Sequence, residues 1–88
     1  MATYEDVVRH LNDACMRMSN QVFGFDPPAD VFSDENAYAR YEMFAGWIGD
    51  MGFTGTPEEY VEQWNEQDAE DIYNTFIGEC LESSHGWA

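Results

Sequence analysis

Lysine is absent from the chain, and its only arginines are Arg9, Arg17 and Arg40. Against them stand 18 acidic residues, so the formal net charge at pH 7 is −15. Small domains usually carry a net charge of about 2–8 in magnitude. So few cations exclude direct binding to nucleic acid, because that binding depends on lysine and arginine contacts to phosphates.

The surplus of negative charge needs an explanation other than stability, because self-repulsion destabilises a compact chain. Three arginines can neutralise only a small part of it. One explanation is a basic partner that supplies the missing positive charge. The other is adaptation to high salt, in which the repulsion between carboxylates is screened.

Long apolar runs are also lacking, since none approaches the roughly 18 residues that a membrane span requires. The N-terminal residues do not show the basic stretch followed by an apolar stretch that is typical of a secretory signal peptide. We therefore expect no contact with a membrane and a cytoplasmic location.

Cysteine is scarce, and Cys15 and Cys80 are not arranged in a C-x-x-C motif. This spacing gives no support to a redox or zinc role. Both fall on apolar faces of predicted helices, which favours two buried thiols. A disulfide between the first and last helices is the alternative.

The apolar content excludes a disordered acidic tail, because 44% of the residues are hydrophobic and 16% are aromatic. With 88 residues, the chain has room for one core. We predict a single acidic helical domain over residues 1–88.

Sustained alternation of apolar and polar residues, the pattern of a strand, is missing as well. Apolar residues recur instead at the helical spacing over residues 4–20, with Thr3 as the N-cap, and again over residues 34–51. Between these helices, the prolines and Gly24 predict a loop over residues 23–32. Its apolar side chains are expected to cover one end of the core; they are Phe23, Phe25, Val31 and Phe32.

The segment Thr56-Pro57-Glu58-Glu59 is a capping box with proline at the first helical position. It predicts a third helix over residues 57–66, with Tyr60, Val61 and Trp64 facing inward. A fourth helix is predicted over residues 69–83. The fold class is therefore expected to be all-α, a compact bundle of about four short helices.

Catalytic and metal-binding patterns are weak. His10 shares a helix face with Asp6 and Asp13, a set that could hold a metal, although an exposed histidine paired with carboxylates explains it better. The carboxylates do not match the calcium-binding loop of an EF-hand. We expect no catalytic residue, no metal site and no cofactor.

Acidic residues are concentrated in the C-terminal part, where residues 58–82 contain nine of them and no cation. On a continuous helix, Glu58, Glu62 and Glu66 form a row with about 6 Å between successive members. Trp47, next to Gly46 on the second helix, lies off the main apolar stripe and is expected to be an exposed contact residue. The predicted partner-binding residues are Glu58, Glu59, Glu62, Glu66, Asp68, Glu70, Asp71 and Trp47.

A row of anions at this spacing is similar to the phosphates of a nucleic acid strand. In size, in its lack of lysine and in rows such as Glu58, Glu62 and Glu66, the chain resembles the small acidic inhibitors that phages and mobile elements carry, the anti-CRISPR and antirestriction DNA mimics. The resemblance implies a non-catalytic inhibitor that blocks the nucleic-acid-binding channel of a basic target, a Cas effector or a restriction enzyme. For a phage protein, the location would be the cytoplasm of the bacterial host.

A halophilic protein, or an acidic cytosolic adaptor that binds through its aromatic residues, is the alternative. Halophilic proteins share the excess of acid and the scarcity of lysine. They usually distribute acid evenly and contain few large apolar residues, whereas this chain has three tryptophans, five tyrosines, six phenylalanines and five methionines.

Overall fold

The computed structural model describes the backbone of residues 1–82 and the side chains of residues 1–80. Over this range the chain is all-α and contains no strand, as the sequence predicts. The elements are α1 (Tyr4–Phe23), a 3-10 turn (Ala29–Phe32), α2 (Asp34–Asp50), α3 (Pro57–Gln63) and α4 (Glu66–Glu82). The four helices form a small bundle in which α1 packs against the other three.

The starts of α1 and α3 follow the predicted caps. Thr3 and Asp6 form a capping box at the start of α1, and Thr56 and Glu59 form one at the start of α3. In each, the threonine hydroxyl accepts the backbone N–H three residues on, and the acidic side chain accepts the backbone N–H of the threonine. Ser33 caps α2.

Two helix ends differ from the prediction by three residues, and α2 ends at Asp50, one residue before its predicted end. Helix α1 continues past residue 20 to Phe23 and ends at Gly24, whose positive φ of 75° suits a glycine C-cap. Helix α3 ends at Gln63 rather than at residue 66, because Trp64 has extended backbone angles. The predicted end of the fourth helix, at residue 83, lies outside the described residues.

Helix α4 begins at Glu66, three residues before the predicted start. Asn65 acts as its N-terminal cap, since the Asn65 Oδ1 accepts the Asp68 backbone N–H at 2.9 Å. The Asn65 carbonyl also accepts the Ala69 N–H, the first hydrogen bond of the helix. Helices α3 and α4 are therefore two separate helices, and Trp64 and Asn65 form the short break between them.

The core draws on every helix, and Phe44 of α2 is fully buried near its centre. The ring of Phe44 packs against rings from α3 and α4, with centroid distances of 5.8 Å to Tyr60 and 5.2 Å to Phe76. The buried residues of the main cluster are Val7, Leu11, Ala14, Cys15, Phe44, Ile48, Tyr60, Ala69, Tyr73, Phe76, Ile77 and Cys80.

The loop after α1 only partly covers the core. Val31 is buried and Phe32 is half-buried against the core, as predicted. Phe23 and Phe25, in contrast, are exposed. The expectation that these two rings cover the core is wrong, since they stack on each other at the surface.

Cys15 and Cys80 are both buried and are not joined in a disulfide, which confirms the prediction of two buried thiols. Burial raises the pKa of each thiol from 9.0 to about 11. Arg40 opposes this shift at both cysteines by favouring the thiolate.

Both thiols are expected to react slowly with a chromogenic aromatic disulfide at neutral pH, because the thiolate is the reactive form. In urea they should react as exposed thiols do. Their contribution to stability is complete below the unfolded pKa of 9.0 and is lost as the pH rises toward about 11, since only the unfolded chain ionises in that window. Rapid labelling of the folded protein at pH 7 would contradict the burial of these side chains.

Within residues 1–82, no helix is both long enough and apolar enough to cross a membrane.

Candidate partner-binding surface

Five of the exposed carboxylates of the C-terminal half lie on α3 and on the first half of α4, whereas Asp50 and Glu79 lie outside this region. We call residues 59–71 the acidic segment. The predicted site residues in it that face solvent are Glu59, Glu62, Glu66, Asp68 and Asp71. The other three predicted residues, Glu58, Glu70 and Trp47, are half-buried.

Glu58 is a structural carboxylate. Each of its two oxygens lies 2.7 Å from the Tyr41 hydroxyl, which donates to it from α2. Burial of Tyr41, together with this hydrogen bond, raises the pKa of the phenol well above its ordinary value. Glu58 therefore holds α3 against α2, and little of its charge is available to a partner.

Glu59 and Glu62 have additional contacts within the chain although both are exposed. Glu59 belongs to the capping box of α3. The Glu62 Oε1 accepts the backbone N–H of Ala2 at 2.9 Å and lies 3.7 Å from the terminal ammonium of Met1. These contacts leave the carboxylates at the surface, so both can meet a partner.

The predicted row of Glu58, Glu62 and Glu66 on one helix is wrong. Glu58 and Glu62 lie on α3, whereas Glu66 is the first residue of α4. The spacing of about 6 Å between i and i+4 applies only within a continuous helix. The acidic residues of the segment are thus presented by two helices, α3 and α4, which are separated by the break at Trp64 and Asn65.

The other acidic residues of the segment differ in the hydrogen bonds and ion pairs that their side chains form. Glu70 forms an ion pair with Arg17 of α1. The Asp68 Oδ2 accepts a hydrogen bond of 2.8 Å from the Asn65 amide. Among the described residues, the side chains of Glu66 and Asp71 make no hydrogen bond or ion pair, and they are the most available carboxylates of the acidic segment.

Trp47 is not the exposed contact residue that the sequence predicts. Its indole packs on the rings of Phe44 and Phe76, at 6.0 Å and 5.4 Å between centroids. The indole N–H donates to the Glu79 Oε2 at 2.7 Å. Trp47 therefore joins α2 to α4, and it is a half-buried structural residue.

Trp64 lies at the surface although it was expected to face inward. It is 40% exposed, and one edge rests on Tyr60 with 5.6 Å between ring centroids. Together with Glu66 it lines a shallow depression of about 300 Å³ against α1. An exposed tryptophan among carboxylates combines an apolar anchor with charge, and tryptophan is enriched at binding hot spots.

His10 is half-buried and stacks on the ring of Tyr73, with 5.1 Å between centroids. Burial lowers the pKa of His10, the nearby Arg9 acts in the same direction, and the charges of Asp13 and Glu66 oppose the shift. The described residues contain no cluster of three or more histidine, cysteine or acidic side chains arranged to hold a metal ion.

Over residues 1–82, the C-terminal ends of the helices lack the basic residues that would compensate their negative dipole ends. In the described part of the chain, no helix has a basic residue in its last turn. Asp50 occupies the last turn of α2, at the negative end of the helix dipole, where an anion is unfavourable. The placement of acid residues is therefore not optimised for the stability of the isolated chain.

No protein-family model, no curated protein and no solved structure matches this chain.

Proposed function

We propose that the chain is a non-catalytic inhibitor that presents carboxylates to a basic nucleic-acid-binding protein and blocks its nucleic-acid channel. The proposed target is a Cas effector or a restriction enzyme, and the proposed place of action is the bacterial cytoplasm. The observation that carries the proposal is the acidic segment, which contains five exposed carboxylates and the exposed Trp64 within 13 consecutive residues.

The charge balance supports the proposal. All three arginines are used within the fold, since Arg9 contacts Asp6, Arg17 pairs with Glu70 and Arg40 is buried. Arg9 stays at the surface and lines the same depression as Trp64 and Glu66, but three arginines can neutralise only a small part of the acidic surface. A basic channel would supply the missing positive charge, and the long-range attraction would accelerate association.

Three charge reversals test the site. The triple variant Glu62→Lys, Glu66→Lys and Asp71→Lys is expected to weaken inhibition by about 10-fold or more, because it places cations against a basic channel. The measurement is the concentration of the protein, or of its variant, that halves DNA cleavage by purified Cas effectors and restriction enzymes. Inhibition by the original protein should fall as salt or competing DNA is raised.

The matched control reverses three exposed acids outside the acidic segment: Glu5→Lys, Glu42→Lys and Asp50→Lys. Both triple variants change the net charge from −15 to −9. Equal loss in the two variants would show that total charge, and not the acidic segment, determines inhibition. If the original protein leaves every enzyme of the panel active, the proposed function is wrong.

The halophilic alternative predicts a different result. The protein would then unfold below about 1 M salt and refold above it, because only strong screening would offset its self-repulsion. Circular dichroism across a salt series measures this directly.

A further inference from the structure

A compact apolar face is exposed at the end of α1. Val22, Phe23 and Phe25 are 55%, 47% and 59% exposed, although each is large and apolar. The rings of Phe23 and Phe25 stack on each other with 5.7 Å between centroids. Single exposed apolar residues are common on proteins, but a contiguous group of them marks an interaction site.

Specific hydrogen bonds hold this face in place. The hydroxyl of Ser19, itself only 1% exposed, donates to the Phe25 carbonyl at 2.9 Å. The Asn20 amide donates to the Asp26 Oδ1 at 2.9 Å, and the Gly24 N–H donates to the Asn20 carbonyl. Because the loop is ordered before binding, a partner would pay little entropy for ordering it.

The two rings border a small groove of about 240 Å³, lined by Ser19, Phe23, Phe25, Pro27 and Pro28. The Ser19 hydroxyl is already used by the Phe25 carbonyl, so the groove offers an apolar lining. Sites for small molecules usually measure about 300–1,000 Å³. The size therefore suits one apolar side chain of a protein better than a separate ligand.

The charge around the groove restricts its occupant. No lysine or arginine occurs between Arg17 and Arg40, and the loop that lines the groove has two exposed acids within two residues of the lining residues, Asp26 and Asp30. A second copy of the chain would bring another net charge of −15 against them. A basic partner would instead meet the charge that complements its own.

We propose that the Phe23–Phe25 face, defined as the apolar residues that line the groove, Phe23, Phe25, Pro27 and Pro28, docks an amphipathic basic segment of a partner protein. An apolar side chain of that segment enters the groove, and its lysines or arginines contact the neighbouring acids. This arrangement has the apolar centre and polar rim of a protein interface. The inference rests on the proposed function only for the basic character of the partner.

The test uses a designed amphipathic helical peptide of about 18 residues, with leucines on one face and lysines on the opposite face. Isothermal titration calorimetry gives its affinity, and amide NMR shifts locate its contact. The double variant Phe23→Ser and Phe25→Ser is expected to bind about 10-fold more weakly or worse. A matched double variant, Tyr38→Ser and Met51→Ser, removes side chains that are 52% and 58% exposed elsewhere and should bind as the original does.

Three results would overturn the proposal. Equal affinity of the peptide for both double variants would mean that charge alone attracts it. Equal binding of a leucine–glutamate peptide would mean that the partner need not be basic. Sedimentation showing a dimer that Phe25→Ser dissociates would assign the face to a second copy of the chain.

The same peptide separates this inference from the proposed function. The triple reversal at Glu62, Glu66 and Asp71 should leave the NMR shifts at Phe23 and Phe25 in place. Intact peptide binding without any inhibition of nucleases would refute the proposed function alone. Inhibition without dependence on Phe23 and Phe25 would refute this inference alone.

Discussion

Replacing Phe44 with alanine is expected to lower the free energy of unfolding by about 3–5 kcal/mol. Phe44 has no exposed surface, and its ring contacts Trp47, Tyr60, Tyr73 and Phe76 from three helices. The remaining cavity cannot close without moving α3 or α4 toward α2. Native proteins are stable by only about 5–15 kcal/mol, so the variant would lose a large fraction of its total stability.

Urea denaturation followed by circular dichroism measures the loss, and the melting temperature should fall by more than about 12 °C. The control is Tyr38→Ala on the same helix, where the side chain is 52% exposed. It is expected to cost less than about 1 kcal/mol. Similar losses in the two variants would mean that Phe44 is not at the centre of the core.

Replacing Arg40 with alanine is expected to cost about 2–4 kcal/mol, whereas replacing it with methionine should cost less than about 1.5 kcal/mol. Arg40 is 2% exposed, its Nη2 donates to the Asn12 Oδ1 at 2.9 Å, and its guanidinium lies 5.9 Å from the Phe32 ring centre. Its Nε has no acceptor, and no carboxylate pairs with it among the described residues.

The contrast between the two variants separates packing from charge. Methionine keeps most of the apolar stem and removes a charge that is expensive to bury without a carboxylate. Alanine removes the stem and leaves a cavity beside the core. Denaturation of both variants at the same salt concentration measures the difference, and a methionine variant as unstable as the alanine variant would show that the guanidinium itself is required.

Several carboxylates form hydrogen bonds or ion pairs within the fold, so only part of the net negative charge is available to a partner. Glu58, Glu70 and Glu79 bind Tyr41, Arg17 and Trp47, and Glu59 caps a helix. These four acids stabilise the fold, and of them only Glu59 belongs to the exposed carboxylates of the acidic segment. The exposed Glu66 and Asp71 make no such contact within the described residues, and they are the carboxylates on which the proposed function depends most.

The starts of α1 and α3 were predictable because a cap involves residues only three positions apart, as at Thr3 and Thr56. The break at Trp64 and Asn65 was not, since neither glycine nor proline marks it. The local signal at this place is Asn65, whose side chain accepts the N–H of Asp68 three positions on, and after it α4 runs along α1, where Arg17 meets Glu70. Local propensity carries no information about the direction that α4 takes.

By itself, the sequence determined the properties that are additive or local: the net charge, the all-α class, the capping boxes and the apolar stripe that buries Cys15 and Cys80. Only the tertiary structure decided which side chains remain at the surface. It placed Trp47 against Phe76 and left Trp64 in solvent. The reason is physical, because helical periodicity assigns a residue to a face, while burial depends on which other helix covers that face.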